Sequence, residues 1–226
     1  MNPKIIFDFI EKKNEKYRLK NFLEKKPFLI KFIDNPEEGT QLSFINRYPK
    51  NFHYINNPSL ETQISAIRNI HDVYDFIVGP GIIDKEGNSI PPHIHPWLNM
   101  ESEEIQIELV RRDGTFIFYI NNPSERVQYE AVREYPKSIR YIKNPTDDVQ
   151  VKAVKGNGEV IQYIKNPSEQ VKLAAVKQNG MVISYIENPS EEVQMAAVIN
   201  NLRSFHQIDN PKQTVVDYFN KNKMGV

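Results

Sequence analysis

The side chains most suggestive of chemistry lie in GIIDKEGNSIPPHIHPWLNM, residues 81–100, where His93-x-His95 and Asp84 supply two imidazoles and a carboxylate. Such groups ligate zinc, but two histidines in a proline-rich loop make a weak signature, and no metal is expected. Loops held by rigid scaffolds often carry function, so Asp84, His93 and His95 stand as candidate partner contacts. No P-loop, G-x-S-x-G or H-E-x-x-H motif occurs, and the chain has no cysteine. Thiolate nucleophiles, thiolate zinc sites and disulfides are thereby removed. The chain reads as non-enzymatic and free of cofactors.

A second group of candidates recurs along the chain: Lys50, His53, Phe118, Lys137, Arg140, Lys143 and Lys165. Charged and aromatic groups in this pattern suit contacts with a protein surface. Their spacing is set by a repeat. Pro36, Pro58, Pro80, Glu101, Pro123, Pro145, Pro167, Pro189 and Pro211 are separated by 22 residues, save for one interval of 21. The clearest units are NPSEQVKLAAVKQNGMVISYIE from Asn166 and NPSEEVQMAAVINNLRSFHQID from Asn188.

Seven of the nine units open with Asn-Pro, several continuing Ser-Glu, as in Asn122-Pro123-Ser124-Glu125. This predicts Asn as N-cap, Pro at the first helical position and a capping box closed by Glu. With the anchor as position 0, apolar residues fall at positions 4, 6, 8 and 9, for example Val149, Val151, Ala153 and Val154, which is helical spacing. Position 13 is Gly at 114, 158 and 180 and Pro at 27, 49 and 136, predicting a left-handed C-terminal residue or a proline break. Apolar groups at 16, 18 and 19 with polar ones at 14, 17 and 20 predict a second, shorter helical turn, because adjacent Tyr and Ile break strand alternation.

The fold expected is therefore all-α: an α-solenoid of about nine two-helix repeats with one irregular, loop-containing unit. The array spans 1–226 as one domain. Residues 1–35 form an N-terminal cap and degenerate repeat, 36–79 repeats, 80–100 the irregular unit, 101–210 regular repeats and 211–226 a C-terminal cap. The irregular unit keeps the phase, and so is expected to replace a helix within the array. Short helices are marginal alone and must bury their apolar arcs against neighbouring units. Ile33, Ile55, Ile77, Leu98, Ile120, Ile142, Ile164, Ile186 and Ile208 form one ladder, and Phe32, Tyr54, Phe76, Trp97, Tyr119, Tyr141, Tyr163 and Tyr185 occupy the position before it. Both ladders are expected in the core.

Gln recurs at position 5 (Gln41, Gln63, Gln106, Gln128, Gln150, Gln194), in the middle of the apolar arc. A buried amide needs partners, so these are expected to tie one unit's backbone to the next. Cations at position 10 (Arg68, Arg111, Arg133, Lys155, Lys177) suit the helix dipole, and Glu108 and Glu130 are spaced to pair along their helices.

The signature Ala175-Val176-Lys177-Gln178-Asn179-Gly180 followed by Ser184-Tyr185-Ile186 resembles short helical repeats of the HEAT-like and leucine-rich-variant class. It is most similar to an uncharacterised viral and bacterial AVKQNG repeat family. The resemblance covers roughly residues 14–211 and implies a binding scaffold, with second helices lining a concave face. It also implies a viral or mobile-element setting, in which the partner would be a host defence complex that the protein inhibits.

Positions 14, 17 and 20 vary from unit to unit. A face shaped for one partner and ordinary tolerance of solvated positions both account for this. Residues 37–110 hold 4 basic and 11 acidic residues, and 111–189 hold 12 and 9, so the array is dipolar and suited to oriented docking on a mixed protein surface. The whole chain balances 29 basic against 29 acidic residues, which disfavours bulk attraction to nucleic acid. A nucleic-acid-binding HEAT-like protein, including a DNA-glycosylase-like enzyme, is one alternative, and a self-assembling structural protein is another. With no signal peptide and no membrane span, the expected location is cytoplasmic.

Overall fold

The computed structural model describes residues 23, 25–70, 82–83, 89–90 and 98–223. Phe76, Ile77, Asp84, His93, His95, Trp97 and the side chain of Lys50 lie outside the described residues, and with them the metal reading of the irregular unit. Within the described residues the fold is all-α apart from one antiparallel pair, Ile82–Ile83 with Ser89–Ile90, in which Ile82 lies opposite Ile90. Contacts divide the chain into two compact units, Met1–Glu108 and Leu109–Val226.

The recurring element is a ten-residue α-helix followed by a six-residue 3-10 helix (η). The first unit contains η1 (Pro27–Phe32), α1 (Glu38–Arg47), η2 (Pro49–Tyr54) and α2 (Leu60–Asn69), and α3 (Glu103–Arg112) runs across the division. The second contains η3 (Gly114–Tyr119), α4 (Glu125–Glu134), η4 (Pro136–Tyr141), α5 (Asp147–Gly156), η5 (Gly158–Tyr163), α6 (Glu169–Gln178), η6 (Gly180–Tyr185), α7 (Glu191–Asn200), η7 (Leu202–Gln207) and α8 (Gln213–Asn222). There α4 to α8 pack consecutively, as do η3 to η7, and α4 to α7 each touch the η segments on either side. Val149, Ala153 and Val154 of α5 and their equivalents on α4, α6 and α7 are buried. Burial between neighbours is what lets helices of this length persist.

The unit boundary differs from the sequence expectation. Asn35, Asn57, Asn122, Asn166 and Asn188 have φ between 46° and 53°, so Asn is the left-handed turn residue and not the cap. Asn tolerates that region better than other residues with a Cβ. The N-cap lies two residues later: the hydroxyls of Ser59, Ser124, Thr146 and Ser190 accept from the N–H groups of Thr62, Val127, Val149 and Val193 at 3.2–3.4 Å. Position 13 likewise begins the 3-10 helix and does not form a left-handed end. Asp113, Asn157, Asn179 and Asn201 are extended at φ −145° to −155°, and each caps the following turn through its side chain. Where position 13 is Pro, at 27, 49 and 136, the ring replaces this cap as the first residue of the turn.

Glycine at position 13 serves close approach between units. A Cβ on Gly180 would stand 2.4 Å from the Ala197 carbonyl oxygen, and one on Gly114 2.5 Å from that of Ala131. The space is used for hydrogen bonds: Gly158 N–H donates to Gln178 Oε1 at 2.7 Å and Gly180 N–H to Asn200 Oδ1 at 2.6 Å.

Gln at position 5 is the clamp that its burial required. Gln41 Nε2 donates to the Pro36 carbonyl at 2.7 Å while its Oε1 accepts from Ser59 N–H at 2.9 Å, and Gln194 likewise joins Pro189 to Lys212 N–H. Gln128 and Gln150 keep the bond to their own prolines, but their Oε1 atoms are buried without a partner, and Lys172 occupies the next equivalent position.

The same contacts also link the elements that flank the irregular unit. Gln63 Oε1 accepts from Asn99 N–H at 2.8 Å, and Arg68 grips Glu108 through two bonds of 2.6 and 3.0 Å. Elsewhere these links join adjacent units, as Gln41 joins Ser59 and Arg111 joins Glu130. Hence α2 and α3 are joined by the same kinds of side-chain bond that link adjacent units elsewhere. Deleting residues 77–97 joins Phe76 to Leu98 and restores the 22-residue interval. We expect this deletion variant to keep its helical circular dichroism, with stability changed by less than about 1 kcal/mol, because shortening a connection between elements already in place costs little. Loss of cooperative melting would show that the segment is integral to the array.

Candidate interaction surface

Two side-chain rows run along the packed helices. On the α row the three position-10 arginines are engaged, while Lys155 and Lys177 carry no ion pair among the described residues. Glu130, nearly buried, holds Arg111 of the preceding helix at 3.1 Å and Arg133 of its own helix at 2.7 Å. Glu108 holds Arg68 at 2.6 Å, and this hydrogen bond raises the Arg68 pKa above its ordinary value, with the nearby charges of Glu108 and Glu61 adding to it. The spacing along each helix anticipated the Glu130–Arg133 pair, while the bonds of Arg68 and Arg111 reach other units. These groups brace the units.

The η row is different. The position-19 Ile ladder is buried as expected, Ile120, Ile142, Ile164 and Ile186 all lying in the core. The aromatic ladder at position 18 is not. Tyr163 is 40% and Tyr185 51% exposed, and Tyr119 and Tyr141 are half-buried. Positions 15 and 16 fill the core in their place, with Phe116, Ile117, Val160 and Ile161 all buried. Three residues per turn group 16 with 19 and 15 with 18, yet 18, the last residue of each η segment, is partly exposed where 15 is buried. Tyr accepts that place because its ring packs along the surface while its hydroxyl stays wet.

Of the residues singled out in sequence, the second unit brings Phe118, Lys137, Arg140, Lys143 and Lys165 onto or beside η3, η4 and η5, which pack consecutively. Phe118 is 63% exposed, meets Tyr119 edge-on at 5.1 Å and lies 5.3 Å from the Tyr141 ring. The Arg140 guanidinium sits 4.6 Å from the Tyr141 centroid and donates to its hydroxyl. Lys143 and Lys165 are exposed and Lys137 half-buried, and none of these four cations forms an ion pair among the described residues. His53 belongs to the first unit, where its ring lies 4.0 Å from that of Tyr54. The sequence reading missed Tyr141, Tyr163 and Tyr185 as surface groups.

Two clefts open on the second unit. One of about 740 Å³ lies between η6 and η7 beside Tyr185, Glu187, Asp209 and Lys212. The other, about 670 Å³, lies between α4 and α5, where the Lys152 ammonium sits 5.5 Å from the Tyr129 ring. Among the described residues no group of three His, Asp or Glu could hold a metal, and no helix is long and apolar enough to cross a membrane. Compared with known protein families, curated proteins and solved structures, the chain matches none.

Proposed function

We propose that the chain is an α-solenoid of 22-residue units, each an α-helix followed by a 3-10 helix, and that it is a non-enzymatic scaffold binding a protein partner through its η face. One contrast supports this reading. The arginines Arg68, Arg111 and Arg133 of the α row are tied into ion pairs between or within units. Among the described residues Lys137, Arg140, Lys143 and Lys165 carry none, like Lys155 and Lys177 of the α row, but they lie on the η row that also carries the largely exposed Phe118. Exposed aromatic and cationic groups with no bracing role are what interfaces use as anchors.

The test reverses Lys137, Arg140, Lys143 and Lys165 together to Glu and compares partner capture from the native cell extract, quantified by mass spectrometry. The reversal should lower capture by at least about tenfold and weaken its salt dependence, with the melting temperature shifted by less than about 3 °C. Undiminished capture would make this row a solvated face only.

A further inference from the structure

The charge and ring pattern of the η row restricts what it binds. Position 20 carries Lys143 and Lys165 and then reverses to Glu187 and Asp209, while position 17 changes from Phe118 and Arg140 to Gln162 and Ser184. The basic stretch is therefore short, and Glu159 at position 14 is the acid within it. A nucleic acid, with uniform phosphate charge, is poorly matched to a row whose position-20 side chains reverse sign and in which Asp209 offsets Arg203 of the last unit. An acidic protein segment of limited length matches it, since its carboxylates can end where the lysines end. The rings add a second requirement. Phe118 offers an exposed face, and Arg140 lying over Tyr141 leaves that pair apolar below and cationic above.

From this complementarity we propose that Phe118, Lys137, Arg140, Lys143 and Lys165 dock an acidic segment of the partner protein. Its carboxylates pair with the four cations, and an aromatic or large aliphatic side chain rests against Phe118 and Tyr141. This rests on the η face being the binding face, and it specifies the partner's chemistry. Charge sets the orientation and rate of encounter, and the rings hold the bound segment.

The probe is a fluorescein-labelled peptide of repeated Glu-Glu-Phe, about 18 residues long, titrated with the full chain and followed by anisotropy. Ser-Ser-Phe and Lys-Lys-Phe peptides and an oligo-dT strand of similar length serve as comparisons. The Glu-Glu-Phe peptide should bind at least about tenfold more tightly than any of the three at low salt. The fourfold reversal to Glu should abolish that preference, and Phe118→Ala should weaken binding by about fivefold or more. Because Phe118 is exposed, Phe118→Ala leaves the core intact, which an unchanged melting curve checks. Equal affinity for Glu-Glu-Phe and Ser-Ser-Phe overturns the proposal, as does indifference to both variants. Tighter binding of oligo-dT, lost in the same variants, would overturn it in favour of nucleic acid. If the peptide fails while capture from extract still depends on the four cations, only the acidic segment is refuted; if capture is also indifferent, the binding face falls with it.

Discussion

Phe116→Ala is expected to cost about 3–5 kcal/mol of folding stability, whereas Tyr185→Ala should cost less than about 1 kcal/mol. Phe116 is fully buried at position 15 of η3, between the α row and the neighbouring 3-10 turn, and truncation leaves a cavity that packed helices fill only in part. Tyr185 sits on an equivalent turn but exposes half its surface, so its removal takes away little apolar burial. Urea unfolding of the two variants measures the difference. Similar midpoints would mean that the aromatic ladder at position 18 shares the core after all.

Gly180→Ala is expected to cost about 2–3 kcal/mol, because its new methyl group would meet the Ala197 backbone carbonyl, an atom that cannot move without shifting α7. The same change at Gly39 should raise stability by about 0.5–1 kcal/mol, since a Cβ there meets nothing within 4 Å and α1 gains a better helix former. The pair separates steric contact from helix propensity. Thermal melts in which both substitutions move stability in the same direction would refute the account.

The period and the apolar positions of the α-helices were legible in the sequence because the anchors repeat at fixed distance and burial follows a 100° wheel. The Gln clamp was legible for the same reason: an amide in an apolar arc has few places to find partners. Other features were ambiguous in kind. Asn before Pro suits both an N-cap and a left-handed turn, and the following Ser, itself a good cap, took the capping role. Tyr at position 18 counts as apolar in any pattern, yet as the last residue of each 3-10 turn it lies partly exposed while position 15, one turn earlier, is buried. Between α2 and α3 the intervening sequence is almost one repeat long, so anchor spacing alone cannot separate a stacked unit from an inserted one. Of the candidate site, the variable positions were readable, and Phe118 and the four cations share the η row that they predicted. The exposed tyrosines among them came only from the folded turns.

The Gln clamps bear on mechanics as well as stability. A clamp that bonds at both ends fixes the separation of two units and resists shear between them. From Gln41 to Ser59 and from Gln194 to Lys212 that restraint is complete, while at Gln128 and Gln150 it is anchored on one side, and at Lys172 the amide is missing. Where the clamp is partial or missing, other bonds bridge the units: Thr146 donates to Glu125, Gly158 N–H to Gln178 and Gly180 N–H to Asn200, so the restraint passes from one repeated amide to several different side chains.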